Sequence, residues 1–297
     1  MKASTHTEIY RPFEGQLKSW PLRPWVLAWS GIRLGFRKKL PAMLLYSPAA
    51  IAALVGAIRV HLMFTTIEMA KTGEVPGMAA AGLAELLGDV SSNIYDFVGL
   101  VSVFALLAVS WYGAGLIAED KRLGAHLLYF SRPLTRSGYI AGKLLSVMVF
   151  GWCAMLLPAL LICAQASLSS PNWSFLTQEW HVILRTVAYS LLWVFVLSCL
   201  VLAISSLVNR RTIALSLVFG VVFLLSGMGE VLADVTDNDR WELLSILANF
   251  SAIADHIFDK PQRYNWDVEA SYWVIGLVVA GSLALLTRSV RRMEVVG

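Results

Sequence analysis

Five stretches of the chain, Leu40–Phe64, Phe97–Ala118, Leu144–Ala166, Thr186–Val208 and Thr212–Ala233, are almost free of charge. Each is long enough to cross the hydrocarbon core of a bilayer as a helix, for which about 20 predominantly apolar residues suffice. A sixth, Tyr272–Thr287, is shorter. Ala270 extends it at one end and Arg288, whose charged head can reach back to the interface, at the other. Pro48 and Pro158 fall inside two of the runs, which spanning helices tolerate where neighbours re-satisfy the freed backbone groups. Only 15% of the residues are charged and the mean hydropathy is +0.65, whereas soluble domains carry about a quarter charged residues. A large soluble α-protein would have to bury every one of these runs. The chain is therefore read as an all-α polytopic membrane protein with six transmembrane helices.

Charge sets the orientation. The segments 1–39, 119–143, 209–211 and 288–297 hold 18 of the 24 Lys and Arg residues, against the acids Glu8, Glu14, Glu119, Asp120 and Glu294. The rest of the chain holds 6 basic and 15 acidic residues. Cytoplasmic loops are enriched in Lys and Arg, so these four segments are expected inside, with both termini cytoplasmic. The net charge of +4 then belongs to a membrane face with anionic headgroups, and implies no nucleic acid partner. No signal-peptide pattern occurs in the first 39 residues, so the N-terminus is expected to be retained.

Before the first run, Trp25, Trp29, Ile32 and Phe36 follow Pro24 at helical spacing, flanked by Arg33, Arg37, Lys38 and Lys39. This is the pattern of an elbow helix lying in the headgroup region. On the outer side, residues 65–96 and 234–269 are long enough for structure of their own, and Trp241, Leu244, Ile246, Leu247, Phe250 and Ile253 suggest short amphipathic helices forming a lid near the surface. Glu230 and Arg59 lie in spans close to the outer interface. As ionisable groups at membrane depth they are candidate pathway or gate residues, beside the plainer reading of snorkelling ends.

Chemistry of the catalytic kind is not apparent. The five histidines are scattered, the nine methionines and three cysteines form no cluster, and no metal site is expected. Cys153, Cys163 and Cys199 sit in apolar runs and read as packing residues. The segment "SGYIAGKL" superficially resembles a phosphate loop. That motif needs Gly where Ser137 stands and Ser or Thr where Leu144 stands, so no catalytic residue and no nucleotide site is assigned to this chain.

The densest polar insert is "GLIAEDKRLGAHLLYFSRPLTRSGYIAGKLL", residues 115–145. Glu119 and Asp120 are expected to begin a short cytoplasmic helix, where acids suit the positive end of the dipole. Leu123 and Leu127 give that helix an apolar stripe, and Ser131-Arg132-Pro133 ends it. A charged finger held between two spans is suited to receiving force from a partner.

This insert resembles the cytoplasmic loop of type-2 (exporter-class) permeases of ATP-binding-cassette (ABC) transporters. The matching positions are Glu119, Asp120, Arg122, Gly124, Ser131, Arg132, Pro133, Arg136, Gly142 and Lys143, with Ala125-His126 departing from the usual Thr and apolar residue. The ending "TRSVRRMEVVG" is similar to the family's basic tail, and the elbow-plus-six-span topology agrees. The resemblance implies residues 1–39 as a cytoplasmic N-terminus with the elbow, and 40–297 as a permease domain. Its spans would be about 40–64, 97–118, 144–166, 186–208, 212–233 and 270–288, its coupling loop 119–143, and its outer segments 65–96 and 234–269. It also implies a multi-pass protein of the inner (plasma) membrane and a second permease copy or paralogue. Cytoplasmic ABC ATPase subunits would hold the ATP and Mg, and there would be no cofactor in this chain. Glu119, Asp120 and Arg122 would touch the ATPase, Gly124, Arg132 and Pro133 would shape or flank the finger, and Trp25–Phe36 would anchor it. Two other readings stand beside this one: a polytopic membrane enzyme acting on lipids, and an ABC-type mechanotransmission subunit working on a periplasmic or envelope partner.

Overall fold

The computed structural model describes residues 22–37, 39–72, 90–125, 135–170 and 173–293, and the side chains of most of these. Among the described residues every regular element is a helix. In chain order they are α1 (Leu22–Arg37), α2 (Lys39–Thr72), α3 (Val90–Arg122), α4 (Arg136–Ala154), α5 (Leu156–Ser169), α6 (Trp180–Leu207), α7 (Arg211–Thr236), α8 (Ile246–Ile257) and α9 (Val268–Arg292). A single turn at Ser174–Gln178 and a 3₁₀ segment at Asp239–Leu244 complete the set.

Among the described residues, five helical stretches are long and apolar enough to cross a membrane: α3, the α4–α5 pair, α6, α7 and α9. They coincide with the second to sixth predicted spans. The first predicted span falls in α2, a 34-residue helix whose side chains are described only in part, from residue 50 onward. Two spans depart from straight α-helix, for identifiable reasons. Pro158 has no N–H to give the Ala154 carbonyl, and the helix breaks there, with Met155 as hinge between α4 and α5. In α7, residues Gly220–Leu224 form one π-helical turn, a local widening that also bends a helix.

α6 is the centre of the bundle. Of its most apolar window 72% is buried, against 22% in each of α7 and α9, which present side chains such as Leu224, Val231, Trp273 and Leu277 outward. Its packing against α3 and α4 rests on small residues, as expected where apolar surroundings offer helices little hydrophobic reason to associate. A Cβ built on Gly151 would lie 2.6 Å from Val194 and 2.7 Å from Val109, and one on Gly113 would lie 2.7 Å from Val201. Ala114 and Ala118 are both fully buried in α3. Gly276 and Ala280 of α9 are exposed, with nothing within 4 Å of a Cβ on Gly276.

α1 is a helix that packs mainly against α4. Ala28 and Ile32 are buried, whereas Trp25 and Trp29 are 49% and 57% exposed and stack on one another with centroids 6.4 Å apart. Phe36 reaches Phe150 of α4, with ring centroids 5.4 Å apart. Small residues allow the approach. A Cβ on Gly142 would come within 2.9 Å of both the Pro24 carbonyl oxygen and the Leu27 side chain. Backbone cannot swing aside as a side chain can, so Gly142→Val is expected to push α1 off α4, at a cost of about 1–3 kcal/mol. In a chain with its native cysteines replaced, thiol labelling of a cysteine placed at Ala28 should then accelerate. Gly276→Val, with free space around it, should leave the labelling rate unchanged.

Candidate functional site

The end of the bundle where α3 passes over to α4 is tied together by polar groups. The expectation of a separate short helix starting at Glu119–Asp120 is corrected here, since both residues belong to the last turn of α3 itself. The helix stops because Gly124 takes a left-handed conformation, φ +67°, with its N–H on the Lys121 carbonyl. Helical geometry resumes at residue 125. Residues 126–134, with the predicted site residues Arg132 and Pro133, lie outside the described residues. α4 then starts from Thr135, whose side chain accepts the Gly138 N–H at 3.1 Å.

Acids at a helix C-terminus face the negative end of the dipole, so Asp120 needs another partner. It has two. The Lys143 ammonium of α4 lies 2.7 Å from its Oδ2, and the Tyr139 hydroxyl donates to the same oxygen at 2.7 Å. Lys143 also donates to the Leu116 carbonyl at 3.1 Å. The side chains of Lys143 and Asp120 are only 9% and 14% exposed, and Tyr139 is fully buried. Asp120 thus holds the two arms of the hairpin together, while its neighbours Glu119 and Arg122 remain half-exposed and exposed, and Leu123 is 70% exposed.

The same end engages α6 and α9. Lys121 Nζ donates to the Ser206 carbonyl at 2.9 Å, and Ser289 Oγ of α9 donates to that carbonyl at 2.7 Å. The Ser205 hydroxyl enters the backbone ladder of α3. It donates to the Ala114 carbonyl at 2.8 Å and accepts from Ile117 N–H at 3.2 Å and Ala118 N–H at 3.1 Å. Arg211, at the start of α7, donates to the Trp111 carbonyl at 2.8 Å, with its guanidinium 4.5 Å from the Trp111 ring centroid. The segment of α3 from Trp111 to Lys121, about its last three turns, is therefore bonded to α4, α6 and α7, and shares a partner with α9. Displacing that segment must move all of them.

At the opposite end the expected surface lid is partly replaced by a buried element. α8 is a 12-residue apolar helix with Asn249 and Asp255 at 0% and 1% exposure. Helices of this length do not span a bilayer, and here the helix is packed into the bundle as a re-entrant element would be. Asp255 accepts the Tyr95 hydroxyl, and lies 3.6 Å from the Arg263 Nε and 3.4 Å from the Arg263 backbone N–H. Arg185 pairs with Asp259, and Lys260 donates to Ser92, so α3, α6 and the segment after α8 are joined. Above α8, Glu242 has its carboxyl raised from the ordinary range, first by its partial burial and then by Asp239, Glu230 and Asp234 nearby. Glu230 is exposed on α7 and Arg59 is exposed on α2.

Of the predicted coupling residues, Glu119, Asp120, Arg122 and Gly124 occupy one turn, and Asp120 is distinguished by pointing inward. Lys143 was visible in the sequence as part of a motif. Its pairing with Asp120 was not, because 23 residues separate them and only the hairpin brings them together. Ser205 and Ser206 gave no signal beyond being polar at the end of an apolar run. Among the described residues, no three of His, Cys, Asp and Glu converge in a way that could hold a metal ion.

A family model described as ABC-2 family transporter protein matches residues 36–252. The matched region is nearly three quarters of the chain and takes in the hairpin end and the spans α3 to α7, stopping within α8. A search of curated proteins gave no match to this chain.

Proposed function

The chain belongs to the ABC-2 family of transporter proteins and is a multi-pass membrane protein, and from that premise we propose that it is the permease subunit of an ATP-driven exporter. In this reading it sits in the inner membrane with six spans, α2 supplying the first, and with both termini and the α3–α4 hairpin in the cytoplasm. It pairs with a second permease copy or a paralogue. Separate cytoplasmic ATPase subunits bind ATP and Mg and perform the hydrolysis, and this chain contributes no catalytic group.

One observation carries the proposal: the segment of α3 from Trp111 to Lys121 is bonded to α4, α6 and α7 and shares the Ser206 carbonyl with α9, while Glu119, Arg122 and Leu123 stay at least half-exposed. A push on such a segment is transmitted rather than absorbed. The buried Asp120–Lys143 pair keeps the two arms moving as one, and the Ser205 hydroxyl carries the displacement into the central helix. ATP binding drives transport because the ATPases engage one arrangement of the permease more tightly than the other. The Met155 hinge and the π-helical turn in α7 are places where the spans can bend as the bundle changes shape.

The test is association. The full-length tagged chain, solubilised from its native membrane in mild detergent, is expected to carry an ATP-binding subunit in near-equal amount, together with magnesium-dependent ATP hydrolysis. A monodisperse, folded preparation with no ATPase and no hydrolysis would overturn the reading.

A further inference from the structure

At the end opposite the hairpin a cavity of about 380 Å³ opens between α3, α6 and α8, within the size range of small-molecule sites. Its inner wall is aromatic: Tyr189 and Trp193 from α6, with Phe250 and Phe258 from α8 and its end. Trp193 stands 13 residues into α6, about 20 Å from that helix's outer end, so the cavity reaches deep into the bundle. One side is made by Gly99, Ser102 and Val103 of α3. Gly99 and Val103 are exposed beside Leu100, on a face that would meet lipid.

Two charged side chains line the cavity, Asp96 and Arg263. The Arg263 guanidinium is already committed: it lies against the buried Asp255 carboxylate, donates to the Tyr95 hydroxyl and sits 5.6 Å from the Tyr95 ring centroid. Arg263 and Asp255 therefore cancel. Asp96, one turn of α3 before Gly99, is exposed and forms no ion pair among the described residues. Among the described residues the cavity thus has one unpaired negative charge, Asp96, and the aromatic side chains of Tyr189, Trp193, Phe250 and Phe258 in its wall. Aromatic rings attract cations through their quadrupole. An anion would meet Asp96, and the one cation lining the cavity among the described residues, Arg263, is already paired with Asp255.

We infer that this cavity is a binding site for a lipophilic organic cation, with its charge between Asp96 and the aromatic wall and its apolar body against Trp193 and Phe250. The ligand enters from the outer half of the bilayer past Gly99 and Val103. An amphiphilic amine and a cationic lipid share this chemistry. The site goes beyond the transport reading and does not need it, because binding is measured on the permease without an ATPase.

The probe pair is tetraphenylphosphonium and tetraphenylborate, ions of nearly the same shape and opposite charge. The full chain is placed in nanodiscs of phosphatidylcholine, and binding is measured by equilibrium dialysis against empty nanodiscs. The expected result is saturable binding of one tetraphenylphosphonium per chain, weakened about ten-fold or more by Asp96→Asn, since loss of a close charge and its cation–π setting is worth more than 1 kcal/mol. Val103→Trp, which fills the cavity from an exposed position, should also abolish it. Tetraphenylborate should show only lipid partitioning. Saturable borate binding of equal strength, phosphonium binding indifferent to both substitutions, or no binding above empty nanodiscs would each overturn the site. Competition by an amine-bearing lipid and by a small amphiphilic amine then separates the two sources.

Discussion

Lys143→Met is expected to cost the folded protein about 3–5 kcal/mol, the usual price of removing one member of a buried ion pair. Most of that cost comes from Asp120, which would keep its charge in a site 14% exposed after losing its ammonium partner, with the Tyr139 hydroxyl still donating to it. Adding Asp120→Leu to the same chain removes the stranded charge. Because buried pairs replaced by well-packed apolar side chains are often neutral or even stabilising, the double variant should recover most of the loss. Thermal unfolding of the purified protein measures both steps. A single variant as stable as the parent would show that the pair does not hold the hairpin together. A double variant no better than the single one would show that Lys143 acts through its bond to the Leu116 carbonyl instead.

The pair also shows where sequence reasoning reaches and where it stops. Runs of about 20 uncharged residues have only one economical solution in a chain this apolar, and the spans α3, α4–α5, α6, α7 and α9 follow from them. The basic segments likewise drew attention to the α3–α4 hairpin. Which of the four consecutive charges from Glu119 to Arg122 meets α4 was not legible. Glu119, Asp120 and Lys121 differ in direction by about 100° per residue, and only the position of α4 decides which of them meets Lys143.

The outer end misled for a related reason. Ile246–Ile257 has apolar residues on more than one side, and the sequence-based expectation took the amphipathic fraction of that pattern as a surface lid. The residues that betray burial are Asn249 and Asp255, polar groups whose partners are remote or lie in the adjoining turns. Asp255 depends on Tyr95, 160 residues away, and on Arg263. In α1, small residues set how closely the helix approaches its neighbours. Gly31 lies close to Ser146 and Tyr112, and Gly142 of α4 lies close to Pro24 and Leu27, a position that no hydrophobic periodicity would single out.

Reversing the accessible charges of the same turn, Glu119→Lys with Arg122→Glu, should do the opposite of the Lys143 change. Arg122 is exposed, Glu119 is half-exposed, and neither is bonded to the Asp120 pair among the described residues, so thermal stability should fall far less than in Lys143→Met, by about 1 kcal/mol at most. What should fail is the connection to the ATPase. Close charge pairs across an interface are worth more than 1 kcal/mol, and like charges placed opposite one another cost further. We therefore expect the affinity of the ATPase for the permease to fall about ten-fold or more. Part of this loss should return when the complementary charges on the ATPase are reversed as well.

The central claim is that this turn of α3 is where the permease receives energy from ATP. Its most direct test is the rate of ATP hydrolysis by the reconstituted complex, compared between the parent and the Glu119→Lys/Arg122→Glu variant at equal, saturating permease. The account predicts that permease-dependent stimulation of hydrolysis is lost in the variant while its fold is retained. Full stimulation by the charge-reversed permease, at the parent's affinity, would contradict it.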